Sequence, residues 1–248
     1  MDLNRLILNL EKTKYLFFHT RNYKVSSTNV VKCNNISIER CSEALFLGLY
    51  LESNLSWRCQ IDHIKSKILP VVGVLSRLRH TGLNPTILKN IYFALIHSNI
   101  TYLISVWGQC TKEKLQELEV IQRRALKLIF NMPYLEHTKT VYKSANILPV
   151  SVQVKFSSVI YIHKLNLNLI NSDIPIIKNS QIHNYSTRSS NKIHTSTVHT
   201  TKHGLNASFN AAIKLYNELP SLFTNMSFNQ FKKNVKSWYL QNYLNGTA

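Results

Sequence analysis

The chain has 248 residues, 44% of them hydrophobic, which is enough to bury one large core or two small ones and excludes an intrinsically disordered chain. Thirty Lys and Arg residues against twelve Asp and Glu residues give a formal net charge of +18, which favours a polyanionic partner, either a nucleic acid or an anionic membrane surface. The many Asn, Ile and Lys residues are also typical of an AT-rich coding sequence. Because that bias does not account for so few carboxylates, we favour a nucleic acid.

Targeting signals and cysteine spacing bear on the compartment. Residues 1–5 lack a basic segment followed by a long apolar core, and the sequence contains no run of about 18 apolar residues that would span a bilayer. The cysteines form no C-x-x-C pair and indicate reduced thiols without a zinc framework. They are Cys33, Cys41, Cys59 and Cys110. We therefore expect an intracellular protein, nuclear or cytoplasmic, with no membrane partner.

Residues 1–56 are predicted to form short antiparallel strands. The first candidates are the aromatic or alternating segments 15–18, 23–25 and 36–38. The apolar run 44–51 predicts a buried strand, in which Gly48 marks a bulge or a close approach of another backbone. Asn54 or Ser56 is then expected to cap a helix, because a short side-chain oxygen accepts the free N–H groups of a first turn.

Residues 57–170 are predicted to form a helical domain. Apolar residues recur with helical spacing along residues 57–79, where Pro70 is expected to kink the helix because it lacks a backbone N–H donor. Further helices are predicted at residues 85–103, from 112 to a stop before Pro133, at 138–145 and after Pro149. On the last of these, His163 is expected to be a surface histidine or a hydrogen-bonded core histidine, and not a metal ligand.

Residues 171–204 are dense in Ser, Thr, Asn and His and carry few periodic apolar residues, which predicts a long, partly disordered linker. Its histidines have no zinc-type spacing and no accompanying cysteine, so a metal site is not expected there. Helical patterns resume in residues 205–248, where Ser227 and Gln230 form a capping-box sequence before the last helix. The predicted fold class is therefore α+β, with short strands followed by a mainly helical bundle.

Short motifs follow one another along the chain in a specific order. They are Asn9-Leu10-Glu11-Lys12-Thr13, Phe46-Leu47-Gly48, Leu55-x-Trp57, His63-Ile64, Trp107-Gly108, Gln122-Arg123-Arg124-Ala125, Thr187-Arg188 and Tyr216-Asn217-x-Leu219-Pro220. This succession resembles the end of the palm, the thumb and the C-terminal helical region of non-LTR (LINE-type) retrotransposon reverse transcriptases, closest to the jockey and CR1 groups. The resemblance implies that residues 1–56 are a remnant of the palm and that residues 57–170 are a thumb-like domain of an RNA-directed DNA polymerase.

The resemblance also assigns roles to individual residues. Phe46, Leu47 and Gly48 match the primer-grip motif of the palm. Lys12 matches the motif D lysine, which in the family lies near the incoming triphosphate. Because no catalytic partner accompanies Lys12 in this sequence, we favour a solvated surface lysine at that position.

Nucleotidyl transfer in this family requires two Mg²⁺ ions that are held by carboxylates. The resemblance places those carboxylates before motif D, with which this sequence begins, and the aspartates Asp2, Asp62 and Asp173 form no Asp-Asp pair. We therefore expect no catalytic residue, no metal site and no cofactor in this chain, although the parent enzyme uses Mg²⁺. The chain by itself is predicted not to polymerise DNA.

Basic helix faces are the candidates for nucleic-acid binding. The candidate residues are Arg58, Lys65, Arg77, Arg79, Arg123, Arg124 and Lys127. The resemblance and the charge together imply an RNA template, a DNA primer and the missing N-terminal part of the polymerase as partners. Solvation of an amphipathic helix explains any single one of these cations equally well. The alternative function is a non-enzymatic basic helical interaction or nucleic-acid-binding protein derived from a mobile element.

Overall fold

The computed structural model describes residues 9–20, 23, 30–33, 35–171, 175–182, 185, 187–195 and 208–246. The chain divides into two compact units, Met1–Ile64 and Lys65–Ala248. The described strands lie in the first unit, and the described helices lie in the second apart from the beginning of the first helix. Short strands therefore precede a mainly helical part, which confirms the predicted α+β class.

The strands of the first unit form three separate pairs. Strands β1 (Lys14–Leu16) and β4 (Glu39–Cys41) are parallel, whereas β2 (Lys32–Cys33) with β3 (Ile36–Ser37), and β5 (Glu43–Phe46) with β6 (Leu49–Glu52), are antiparallel. The parallel pair departs from the predicted all-antiparallel arrangement. The chain between Leu16 and Glu39 is long enough for the crossover that parallel strands need. The predicted strand 23–25 falls outside the described residues except for Tyr23.

The apolar run 44–51 forms a hairpin, so the prediction of one buried strand is wrong. Leu47 and Gly48 adopt φ values of 48° and 77°, and two consecutive positive φ values are the signature of a tight two-residue hairpin turn. Leu49 is buried, but Leu45, Phe46 and Leu47 are exposed. Glycine adopts a left-handed conformation at the least cost, and Gly48 marks the point at which the chain reverses its direction.

Helix α1 (Arg58–Leu78) begins at a cap that includes a carboxylate. The Arg58 N–H donates to Glu52 Oε2 at 2.6 Å and lies 3.4 Å from Ser56 Oγ, which in turn donates to Glu52 Oε1 at 2.8 Å. A carboxylate at a helix N-terminus also stabilises the helix dipole. The helix continues through Pro70 to Leu78 and passes into a 3₁₀ turn, Arg79–Thr81.

The second unit contains a series of helices after α1. They are α2 (Pro85–Ile91), α3 (Ser98–Thr101), α4 (Ile104–Trp107), α5 (Lys112–Ile129), α6 (Thr138–Ala145), α7 (Val150–Asn166), α8 (Asn179–Ile182), α9 (Ser208–Asn217), α10 (Ser221–Thr224) and α11 (Phe228–Asn245). Between α2 and α3 the chain forms a π-helix, Tyr92–His97, which the sequence pattern did not predict. The predicted helix 85–103 ends at Thr101, because Tyr102 adopts an extended conformation with a ψ of 116°.

Helix α7 lies at the centre of the second unit, where α4, α5, α9 and α11 pack against it. Its apolar residues surround the helix on all sides, as is typical of a helix that is buried all round. The buried cluster that it forms with its neighbours consists of Leu148, Val152, Phe156, Val159, Ile162, Leu165, Ile193, Ala212, Ile213, Tyr216, Leu219, Phe231, Val235 and Tyr239. The central position of α7 explains why the helices on both sides of the predicted linker belong to one compact unit.

His163 on α7 is a core histidine with both ring nitrogens satisfied. Nδ1 lies 3.0 Å from Tyr216 Oη, and Nε2 lies 3.2 Å from the Met226 carbonyl oxygen. The imidazole stacks on the ring of Phe231 with 3.6 Å between the centroids. These contacts select the core interpretation over the surface one. Burial lowers the pKa of His163, while the hydrogen bond to Met226 opposes that shift.

The described part of segment 171–204 packs on the C-terminal helices. The Asn217 amide of the Tyr-Asn-x-Leu-Pro motif receives the Ile193 N–H at 3.0 Å and donates to the Ile193 carbonyl at 2.8 Å. Ile193 is buried and pairs with Lys178 in an antiparallel bridge. The second compact unit, Lys65–Ala248, contains the C-terminal helices together with residues 65–170. The predicted four-part domain division stays a prediction.

All four cysteines are free thiols.

Within the described residues, no single helix has the length and apolar composition of a membrane span. Helices α6 and α7, which are bent by 44° at their junction, reach that length and composition when they are taken together.

A fall in pH is expected to destabilise the second unit because of His97. Burial, helped by the charge of Lys236, lowers the pKa of His97 to about 4, and its Nδ1 atom has no hydrogen-bond partner among the described residues. The unfolded chain binds a proton near pH 6.5 and the folded one does not. The folding stability that depends on this difference in proton binding is fully present above pH 6.5. It is lost as the pH falls from 6.5 to 4, and the loss reaches about 3 kcal/mol.

Urea unfolding between pH 4.5 and 7.5 tests this dependence. His97→Phe should flatten the curve of unfolding free energy against pH, because it removes the proton that only the unfolded chain takes up. His80→Gln is the matched control, since His80 is exposed. A curve that keeps its slope in the His97 variant would contradict the assignment.

Candidate nucleic-acid interface

The C-terminal half of α5 separates a buried face from a basic one. Gln122 and Ala125 are buried, whereas Arg123 is half-buried and Arg124 is exposed. An α-helix has 3.6 residues per turn, so Gln122 and Ala125, which are three residues apart, face the core together. The two arginines between them point away from the core. The Gln-Arg-Arg-Ala sequence therefore places two guanidinium groups outside the core at the same level of the helix.

Gln122 fixes the rotation of α5 through a buried hydrogen-bond network. Its Nε2 atom donates to Tyr92 Oη and to the Leu148 carbonyl, each at 3.1 Å, and its Oε1 atom accepts from Tyr142 Oη at 3.1 Å. Burial raises the pKa of Tyr92 and of Tyr142 well above the usual value, so both phenols keep their protons. The amide thereby joins α5 to the π-helix, to α6 and to the residues that precede α7.

A basic cavity of about 700 Å³ lies beside this end of α5. Four of the seven predicted nucleic-acid-binding residues line it, namely Arg79, Arg123, Arg124 and Lys127. Val120, Leu128, Met132, Tyr134, Leu135 and Thr138 complete its lining, which contains no Asp or Glu among the described residues. Cations beside apolar walls focus a positive potential, so the geometry suits an anionic ligand. We call this feature the basic cavity.

Arg79 reaches the basic cavity from the 3₁₀ turn that follows α1. Gly82 ends this turn with a φ of 72°. Arg79 and Arg124 are exposed, and among the described residues no hydrogen bond or ion pair engages either guanidinium group. Arg123 donates from Nη1 to Thr138 Oγ1 at 3.3 Å, which leaves most of its donors available. These three arginines can donate hydrogen bonds to phosphate oxygens without breaking an ion pair.

Lys127 holds the loop that follows α5. Its ammonium group donates to the Tyr134 carbonyl and, at 2.8 Å, to the Glu136 carbonyl. An ammonium group has three donors, so two of the three are used within the protein. Lys127 therefore shapes the basic cavity and adds to its potential, while the three arginines are the groups free to contact a ligand.

The other predicted cations do not line the basic cavity. Lys65 forms an ion pair with Glu117 at 2.6 Å, which joins α1 to α5. In the first unit, Arg58 lies 3.9 Å from Asp62 in an exposed (i, i+4) pair. Arg77 is exposed in the last turn of α1. The ion pair of Lys65 indicates a structural role for that residue.

The residues that match the primer-grip motif and the motif D lysine lie on the surface of the first unit. Phe46, Leu47 and Gly48 form the tip of the β5–β6 hairpin. Lys12 is exposed in a turn, where its backbone N–H donates to Asn9 Oδ1 at 3.2 Å. The primer-grip and triphosphate-related roles of these residues stay predictions.

Tyr134 and Leu135 are the residues of the basic cavity that sequence reasoning missed. Their relative exposures are 89% and 91%, although both are large and apolar or aromatic. The signal in the sequence was the Pro133-Tyr134-Leu135 tripeptide directly after a basic helix, which was interpreted only as a helix stop. Leu128 is half-buried and lines the same cavity.

The donor set does not fit a Mg²⁺ centre in the part of the chain that the structure describes. There, no three His, Cys, Asp or Glu side chains are arranged to hold a metal ion. Asp62 lies on α1, and Asp2 and Asp173 fall outside the described residues. The described residues therefore do not reproduce the metal site that the resemblance assigns to the parent enzyme.

An α+β protein with a basic cavity is the class that these observations define. No protein-family profile matches the chain, and no solved structure matches it. The chain is 21% identical over 132 residues to the probable RNA-directed DNA polymerase from transposon BS of Drosophila melanogaster, a match that covers 51% of this chain and 14% of that protein. This similarity supports a relationship to transposon reverse transcriptases.

Proposed function

We propose that this chain is the C-terminal, nucleic-acid-holding part of a jockey- or CR1-like reverse transcriptase, comprising the end of the palm, the thumb and the C-terminal helices. The order of the motifs, the similarity to a transposon polymerase and the charge of +18 support this proposal. On this view the chain contacts the RNA template and the DNA primer inside the cell. The carboxylates that hold Mg²⁺ belong to a preceding part of the polymerase, which would be its protein partner.

The observation that carries the proposal is the convergence of three available arginines in the basic cavity. Arg79 comes from the turn after α1, and Arg123 and Arg124 come from α5, so tertiary packing brings together groups that are distant in sequence. A guanidinium group binds phosphate oxygens in a bidentate manner, and each phosphate neutralised releases counterions. A carboxylate-free lining with three such groups suits a polynucleotide backbone.

Replacing the three arginines with glutamine is expected to weaken binding of an RNA–DNA primer duplex about 10- to 100-fold at low salt. The slope of log affinity against log salt should become shallower by about two to three, because three phosphate contacts are lost. Filter binding across a salt series measures both quantities.

A variant with the same loss of charge separates the basic cavity from the charge of the whole protein. Lys143→Gln, Lys214→Gln and Lys233→Gln together remove three exposed cations that do not line the basic cavity. This control should keep most of the affinity and the slope. Equal losses in both variants would mean that no defined site exists. Absence of binding by the wild type at low salt would defeat the proposed function and favour the non-enzymatic interaction protein.

A further inference from the structure

Contacts to a nucleic-acid backbone do not explain why an exposed aromatic side chain, Tyr134, lines the basic cavity. Phosphates require cations and N–H donors, whereas Tyr134 presents an aromatic ring that is 89% exposed. A single exposed apolar residue is ordinary, but a contiguous exposed patch marks a binding site, and the adjacent Leu135 is 91% exposed. Both residues line the same cavity as the three arginines that are available for phosphates.

The loop that carries Tyr134 is held in place before any ligand binds. Lys127 donates to the carbonyls of Tyr134 and Glu136, and the Glu136 N–H donates to the Pro133 carbonyl at 3.1 Å. The Met132 N–H donates to the Lys127 carbonyl at 3.0 Å. A loop fixed by these bonds loses little conformational entropy on binding, which favours affinity.

The ammonium group of Lys127 also lies 5.8 Å from the centroid of the Tyr134 ring, within the range of a cation–π contact. This contact restrains the ring, and the exposure of the side chain leaves most of the ring open to solvent. An open aromatic face beside cations is the arrangement with which proteins bind unpaired nucleotides, because every base has a face that stacks.

We propose that the basic cavity binds a single-stranded segment and that Tyr134 stacks on an unpaired base while Arg79, Arg123 and Arg124 contact the flanking phosphates. This inference rests on the proposed function and specifies its ligand. In a duplex the base faces are already stacked on one another and are not available to a side chain. A duplex would therefore use the arginines of the basic cavity and leave Tyr134 without a partner.

The test compares a 12-nucleotide oligo(dT) with a blunt 12-base-pair DNA duplex, which has no unpaired base, each titrated at low salt by fluorescence anisotropy. Tyr134→Ala should weaken oligo(dT) binding about 5- to 100-fold and change duplex binding less than about twofold. Tyr134→Phe should keep wild-type affinity, since the ring remains. The salt slope should not change in either variant, because no charge is removed.

Tyr185→Ala is the matched control, because Tyr185 is 80% exposed and does not line the basic cavity. An oligonucleotide with 5-iodouracil in the middle should photo-crosslink to Tyr134 in the wild type. An unchanged affinity of Tyr134→Ala for oligo(dT), or equal losses for both ligands, would overturn the inference. If the arginine variants lose binding in the same experiment, the proposed function stands without it. If neither ligand binds the wild type, both proposals fail.

Discussion

Gly108→Ala is expected to destabilise the second unit by about 3 kcal/mol, the larger of the effects that a single methyl group produces in a packed core. A Cβ atom on Gly108 would lie 2.6 Å and 2.8 Å from the two methyl groups of Val154 and would also collide with the Ile104 carbonyl oxygen. The first two contacts lie on α7, around which the second unit is packed. Gly108 has an ordinary φ of −66°, so the lack of space and not backbone strain is the reason.

Gly73→Ala is the matched control for this prediction. A Cβ atom on Gly73 would meet no atom within 4 Å, and Gly73 lies in an exposed part of α1. Alanine loses less backbone entropy than glycine when it forms a helix, so this variant should be more stable by about 0.5 to 1 kcal/mol. Urea unfolding followed by far-ultraviolet circular dichroism measures both changes. A Gly108 variant as stable as the wild type would show that α4 does not approach α7 so closely.

Gln122→Leu is expected to destabilise the second unit by about 3 kcal/mol or more, although leucine is close to glutamine in volume. The change removes the hydrogen bonds that Gln122 makes to Tyr92 Oη and to the Leu148 carbonyl, and it leaves Tyr142 Oη with only a long contact of 3.5 Å to the Glu119 carbonyl. A buried polar group that loses its partner costs about 1 to 3 kcal/mol. Calorimetry or urea unfolding measures the effect.

Two further variants identify the hydrogen-bond network as the cause. Gln116→Leu, an exposed position on the same helix, should change stability by less than about 0.5 kcal/mol. Adding Tyr92→Phe and Tyr142→Phe to Gln122→Leu should recover part of the loss, because the unpaired hydroxyl groups are then removed as well. If the three changes instead add up fully, the residues do not act as one network.

Helices with a strong apolar period could be predicted from the sequence because the period is a local property. Helix α6 has the predicted bounds Thr138–Ala145, and α5 ends before Pro133 as expected. The apolar period does not show where the chain reverses its direction within a continuous apolar run. The run 44–51 contains no polar residue to mark its turn, so the hairpin at Leu47 and Gly48 was missed.

The net charge of +18, the α+β class and the order of motifs that resembles a reverse transcriptase follow from the amino-acid sequence alone. The identity of the cations follows from it as well. Which of those cations are available for a ligand depends instead on contacts within the folded chain. Lys65 is paired with Glu117 and Lys127 is bound to two carbonyls, whereas Arg79 joins Arg123 and Arg124 across a long stretch of sequence. Charge is a property of each residue alone, but a cavity is made by contacts between distant parts of the chain, and no local pattern encodes those contacts.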